Sequence, residues 1–236
     1  MPVQFDPGAF SPGRIVENYL DFRLALQNTD ALLEALFATL ALALLAEILG
    51  IILGLALALL KLSRSRLLRF PAQVYVDVFR GTPLLVQLII IYFTTPLIGI
   101  SFTSLFYAGL VALTLNSAAY VAEIFRSGIE SIDKGQMEAG RASGLSYTQT
   151  MRHIIVPQAF RRTIPPLTNE FVTLVKDTSL ISVIGFTELL RWARVEQSST
   201  FNGSPLIVAA LIYLAICLPL IYLAGRLERR LNRRTA

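Results

Sequence analysis

Glu47, Asn116, Asn169 and Glu170 sit where the surrounding sequence is too apolar to solvate them. Thr173, Lys176, Asp177, Thr178, Ser179 and Ser182 follow, making the stretch around Glu170 the most hydrophilic part of a greasy region. Ionisable groups in such surroundings are costly and point to function. The chemistry they suit is binding rather than bond breaking, because a carboxylate in a low-dielectric cavity attracts an ammonium group far more strongly than in water. Glu170 facing a central cavity, with Asn169, Thr173 and Asn116 beside the same path, would receive such a group. The competing reading of Glu170 is a protonated side chain hydrogen-bonded to a neighbouring helix. Covalent chemistry has little to work with. One Cys and one His supply neither a disulfide framework nor a Cys/His metal site. No nucleophile–base pair is visible, and no G-x-x-x-x-G-K-S/T segment is present to hold nucleotide phosphates.

These groups need elements that lie in lipid. The chain has 236 residues, 54% hydrophobic and 16% charged, with a mean hydropathy of +0.61. A soluble domain of this size has no way to cover so much apolar surface. Apolar runs at about 32–60, 71–95, 103–125, 164–190 and 205–225 predict an all-α integral membrane protein with five transmembrane helices. The uncharged run from Gly81 to Ala122 is too long for one span, and Thr94-Thr95-Pro96 with Gly99 to Ser104 divides it. The second span gains an amphipathic lead-in from Pro71 through Asp77 and Arg80, with a kink expected at Pro83. The 164–190 segment carries Glu170, Lys176 and Asp177 and is required by topology rather than by hydropathy.

Charge sets the direction. The net charge of +5 reports orientation in the bilayer rather than nucleic acid. Lys61, Arg64, Arg66, Arg69 and Arg80 flank the first connection, and Arg126, Lys134, Arg141, Arg152, Arg161 and Arg162 the third. Arg226, Arg229, Arg230, Arg233 and Arg234 crowd the C-terminal tail. Five crossings bring all three groups to one face; four would separate the tail from the first connection. The N-terminus is thus expected outside and the C-terminus in the cytoplasm, with residues 126–163 a cytoplasmic loop. Residues 1–30 form an extracytoplasmic leader without the pattern of a cleaved signal peptide, and residues 31–236 a single transmembrane domain.

Within the cytoplasmic loop lies EAGRASGLSYTQTMRHIIVP, from Glu138 to Pro157. Asp133 is placed to cap a helix over Lys134–Ser143, and Gly144 to end it in the left-handed conformation. Tyr147 to Ile155 reads as a second helical segment that Pro157 breaks or redirects. Two short helices joined at a glycine make a lever against a cytoplasmic partner. Gly50 and Gly54 form a small-xxx-small pair, and Glu47 is expected to pack against protein.

Glu138, Ala139, Gly140, Gly144, Ile154 and Pro157 resemble the loop pattern E-A-A, three residues, G, nine residues, I-x-L-P, with Gly140 replacing the second Ala and Val156 the Leu. The similarity extends through Arg80-Gly-Thr-Pro-Leu-Leu-Val-Gln87, Leu115-Asn-Ser-Ala-Ala-Tyr-Val-Ala-Glu123 and Ser131-Ile-Asp-Lys-Gly-Gln136. It continues in Pro165-Pro-Leu-Thr-Asn-Glu-Phe171 and Lys176-Asp-Thr-Ser-Leu180. Together these resemble the permease subunits of polar-amino-acid ATP-binding-cassette importers, of the histidine, glutamine and arginine type. The resemblance implies a type I importer fold in a prokaryotic inner membrane. It implies a second permease chain, identical or homologous, and an extracytoplasmic amino-acid-binding protein. ATP and Mg would be bound by a cytoplasmic ATPase dimer and no cofactor by this chain. In such a loop Gly140 is expected to loosen the docking helix slightly. A secondary transporter or channel is the rival, disfavoured by the lack of an inverted repeat; a membrane-embedded enzyme lacks its constellation.

The topology makes a direct prediction. Cysteine introduced at Thr200 is expected to react with an impermeant thiol reagent added outside, and cysteine at Gln136 to stay unreacted. Equal labelling from outside would remove the crossing between them.

Overall fold

The computed structural model describes residue 13, residues 19–25 and residues 27–232, and every regular element among them is helical. Most of the leader expected at 1–30 lies outside these residues; its described part includes one helical turn, Phe22–Ala25. The first long helix, α1 (Thr29–Lys61), is apolar all round, as a helix between protein and lipid is. Its largest partner is α4 (Leu105–Glu130). Lipid tails are as apolar as leucine, so this pair associates by close packing rather than by hydrophobic transfer. Gly50 and Gly54 make the packing possible: a Cβ on Gly50 would lie 2.7 Å from Ser117 Oγ, and one on Gly54 2.6 Å from Val121 Cγ1. The small-xxx-small pair therefore serves a seam within the chain.

Between these helices lie α2 (Arg66–Gly81) and α3 (Leu84–Thr94), the latter prolonged by a 3-10 turn, Thr95–Ile98. The stretch expected as one span over 71–95 is built of two helices. The two helices meet at an angle of 109° across Thr82-Pro83. Pro83 has no N–H to continue the helix, and the residue before it is pushed to an extended conformation; Thr82 has φ −123° and ψ 148°. Such a break frees carbonyls that need donors. Gln87 Nε2 supplies them, donating to Phe79 O at 2.8 Å, Thr82 O at 3.0 Å and Thr82 Oγ1 at 2.9 Å. Gln87 is oriented in turn by Asn116 Nδ2, which donates to its Oε1 at 2.9 Å.

Past α4 the polar loop folds into α5 (Lys134–Ala142), α6 (Tyr147–Thr150) and a π-helical turn, Met151–Ile155. The turn runs without interruption into α7 (Val156–Asp177). Pro157 therefore does not break the chain as expected. It sits in the first turn of α7, where its missing donor falls beside the π turn and its wider i→i−5 hydrogen bonding.

The segment read as a span at 164–190 is likewise built of more than one element. α7 begins before it at Val156, gives way to a 3-10 stretch over Thr178–Ile184, and stops at Gly185 with φ +98°. The next helix, α8 (Leu189–Thr200), is a separate element. Its start is held by Glu188, fully buried, whose carboxylate accepts from Leu190 N, Arg191 N and Tyr213 Oη at 2.7–2.9 Å. The last helix, α9 (Ser204–Asn232), packs on α7 and α8. By length and apolarity α1, α4 and α9 are able to cross a membrane, and the bent α2–α3 pair adds a fourth candidate; α7 is too polar to qualify.

Candidate functional site

The Glu138 loop is an ordered body with its own small core. Ile132, Ile155 and Ala159 are buried together, with Ile129, Met137, Met151 and Ile154 packed around them. Asp133 caps α5 by accepting from Gly135 N at 2.7 Å. At the other end Gly144 N donates to Arg141 O and Leu145 N to Gly140 O, both at 3.1 Å, closing a Schellman motif around Gly144 at φ +85°. Ser146 and Gln149 form a reciprocal capping box on α6. Arg162 Nη1 donates to Ser131 O at 2.7 Å, tying the start of α7 to the end of α4. Glu138, Ala139 and Pro157 are exposed on this body, and Ile154 is half-buried.

Gly140 has a different part from the one expected. It is buried, and a Cβ there would lie 2.5 Å from Thr150 Cγ2 and 3.1 Å from Ile154 Cδ1. Thr150 cannot swing away easily, being β-branched, fully buried and bonded through Oγ1 to Ser146 O at 3.0 Å. The glycine thus brings α5 against α6 instead of loosening it.

The polar residues of the apolar region divide into two groups. Asn169 and Thr173 are exposed on one face of α7, one turn apart, and Lys176 continues that face. Glu170 is half-buried next to them and lies within electrostatic reach of Glu47, Asp177 and Arg80. Glu47 is buried, with Ser117 Oγ donating to it at 3.3 Å. Asn116 is buried at the α2–α3 break, where it donates to Gln87. No group of three His, Cys, Asp or Glu residues among the described residues is able to hold a metal ion.

Sequence reasoning passed over Glu123. Lys61 Nζ, on a side chain 4% exposed, pairs with its Oε2 at 2.5 Å. Arg126 pairs with its other oxygen and also with Glu130. Arg80 approaches to 3.9 Å while its guanidinium lies over the Tyr120 ring, 5.4 Å from the centroid. One carboxylate thereby joins α1, α2 and α4. The available signal was a glutamate ending an apolar run, opposite two helices that also end in a basic residue.

Most of the chain is matched by known proteins. Residues 50–233 match the family described as binding-protein-dependent transport system inner membrane component. The chain belongs to that family. The permease is 43% identical, over 90% of its length and 98% of the relative's, to the arginine transport system permease protein ArtQ of Bacillus subtilis. It is 42% identical to a putative glutamine transport system permease protein GlnP of Rickettsia bellii, over 85% of this chain and 92% of that one. Among solved structures it superposes with a TM-score of 0.84 on an amino acid ABC transporter crystallised with histidines, at 41% identity and covering 89% and 98% of the two chains. A methionine ABC transporter in an inward-facing conformation, MetNI, shares the fold with a TM-score of 0.72 at 22% identity, over 85% of the permease and 96% of that chain.

Gly140→Ala tests the close approach of α5 and α6. Overpacking costs roughly 1–3 kcal/mol, against about 1 kcal/mol gained in helix propensity, so a net loss of thermal stability is expected. Adding Thr150→Ser removes the clashing methyl and keeps the hydroxyl bond to Ser146; stability in a thermal unfolding assay should then recover. No recovery would mean that the methyl is not the obstacle.

Proposed function

We propose that this permease is the membrane subunit of an ATP-driven importer that carries a polar amino acid by alternating access. The observation that carries this reading is the self-packed helix pair around Glu138, built on a chain that has no phosphate-binding loop of its own. A rigid polar body of this kind, exposing Glu138 and Ala139, suits the grip of a separate ATPase. Relatives named for arginine and glutamine transport support an amino acid as cargo.

The arrangement is five crossings, with α7 as the polar fourth, the N-terminus outside and residues 126–163 in the cytoplasm. Residues 31–236 form one transmembrane domain behind a leader over 1–30. A cytoplasmic ATPase dimer binds ATP and Mg and docks on Glu138, Ala139, Gly140, Gly144, Ile154 and Pro157. A second permease chain, identical or homologous, completes the pathway, and an extracytoplasmic binding protein delivers the amino acid. Asn169, Glu170 and Thr173 on α7 face the cargo. The half-buried Glu170, flanked by Asn169 and Thr173, favours a cationic or zwitterionic amino acid through its ammonium group. Movement of the ATPases is passed by the loop to α7 directly, since the π turn joins them as one continuous helix.

Two variants test the reading. Glu138→Lys reverses an exposed charge on the docking body and leaves every span intact. It is expected to abolish most of the stimulation of ATP hydrolysis by loaded binding protein in reconstituted vesicles, and unchanged stimulation would remove the docking assignment. Glu170→Gln keeps shape and hydrogen bonding but deletes the charge. Uptake should fall by about an order of magnitude, equivalent to roughly 1.4 kcal/mol, while assembly and basal ATP hydrolysis persist. Near-normal uptake would make Glu170 a structural residue.

A further inference from the structure

The turn between α8 and α9 carries the single non-glycine residue at positive φ among the described residues. Phe201 ends α8 with φ 52° and ψ 30°, the left-handed cap position that glycine or asparagine ordinarily fills. A phenylalanine there strains its own backbone, and its ring recovers little burial in return, being 91% exposed. The mounting is firm. Asn202 and Ser204 are buried, and Asn202 Oδ1 accepts from Ser204 N at 2.8 Å and from Ser204 Oγ at 2.5 Å. On the other side Thr200 Oγ1 donates to Glu196 O at 2.7 Å. A strained residue is therefore held on a rigid base with its aromatic ring outward.

The turn stands clear of the apolar layer. α8 runs along α1 in the antiparallel sense, from Leu189 N on Thr39 Oγ1 at 3.0 Å to Glu196 Oε1, which accepts from Asn28 Nδ2 at 2.9 Å. Asp30 and Glu34 at the head of α1 are exposed, and with Glu196 they mark the level at which charge meets water. Phe201 follows Glu196 by more than a turn in the same direction. No charged residue occurs from Gln197 to Leu206, and Ser198 and Ser199 beside Phe201 are exposed. A membrane anchor would place an apolar face or basic groups next to the aromatic. A lone aromatic in a polar, uncharged rim has instead the composition of a protein–protein anchor. The family to which the chain belongs is described as binding-protein-dependent, which names a protein partner for the permease.

We propose that Phe201 is the anchor on which the extracytoplasmic binding protein docks, its ring entering an apolar recess of that protein while Ser198 and Ser199 rim the contact. The rigid turn presents the ring already ordered, so docking loses little conformational freedom on this side. The inference deepens the importer reading and rests on it, with the α8–α9 turn outside the membrane. Glu138→Lys acts on how strongly hydrolysis is stimulated, whereas the anchor acts on how much binding protein is needed, so the two failures are distinguishable.

The test uses the intact permease–ATPase complex in vesicles, titrated with binding protein loaded with arginine or glutamine, the cargoes for which relatives are named. Phe201→Asn suits the left-handed backbone and removes the ring. The half-saturating concentration of binding protein is expected to rise about tenfold or more. The maximal rate of ATP hydrolysis should be kept, and the thermal unfolding midpoint kept or raised as the strain is relieved. Phe201→Trp keeps an aromatic and should hold half-saturation near that of the unsubstituted chain. The emission it adds should shift to the blue when binding protein is present and escape quenching by brominated lipid. Unchanged half-saturation in Phe201→Asn overturns the proposal. A lower unfolding midpoint in that variant overturns it in favour of a structural ring. Quenching of Phe201→Trp by brominated lipid overturns it in favour of a membrane anchor, and loss of the permease pair from Phe201→Asn in native mass spectrometry in favour of a contact between permease chains. Absence of stimulation by any loaded binding protein overturns both this inference and the importer reading beneath it.

Discussion

A bilayer offers no water to a broken helix, so every freed N–H and C=O must find its partner inside the protein. The helices of this permease are interrupted repeatedly, and a side chain closes most of the interruptions. Gln87 covers the carbonyls left open at Thr82-Pro83. Ser104 caps α4 through Phe106 N, and Glu188 accepts the free amides at the head of α8. A single amide or carboxylate at each point separates a usable bend from an unsatisfied polar group costing several kcal/mol. The bends in turn let polar stretches and apolar spans coexist in a chain of this length.

What holds the spans together is proximity. The α1–α4 seam is narrow because Gly50 and Gly54 leave room for Ser117 and Val121. At the end of the seam Glu123 ties α4 to α1 through a charge-assisted bond from Lys61, and Arg80 of α2 approaches the same carboxylate to 3.9 Å. A pair this shielded is costly to break from one side, because the remaining charge is left without a partner. α7 is more polar than α1 and α4 and is continuous with the loop.

The loop obeys a different rule. Outside the membrane water competes for every polar group, so order requires an apolar core, and Ile132, Ile155 and Ala159 supply a small one. Gly140 and Gly144 serve this body in separate ways: the first permits contact with Thr150, and the second supplies a left-handed residue that ends α5. A body packed in this manner keeps its shape, whereas a solvated linker of the same length would not.

The sequence by itself determined the all-helical membrane class, the apolar runs of α1, α4 and α9, the cap at Asp133 and the turn at Gly144. Each is a local matter of hydropathy or backbone preference, readable from a few consecutive residues. Family membership was legible for a related reason, since its motifs are contiguous segments. Only the tertiary structure decided that Pro83 turns the chain through 109° rather than kinking it, because the bend depends on Gln87 and Asn116 arriving from different helices. Only there does Gly140 meet Thr150, Glu123 collect Lys61 and Arg80, and Asn116 reach Gln87 at the α2–α3 break. The expected span at 164–190 resolved into α7, a 3-10 stretch and α8 for the same reason: Gly185 and Glu188 act through backbone conformation and contacts with Tyr213 on α9. Hydropathy reports how residues partition between water and lipid, whereas pairing between distant helices is fixed by where each one packs.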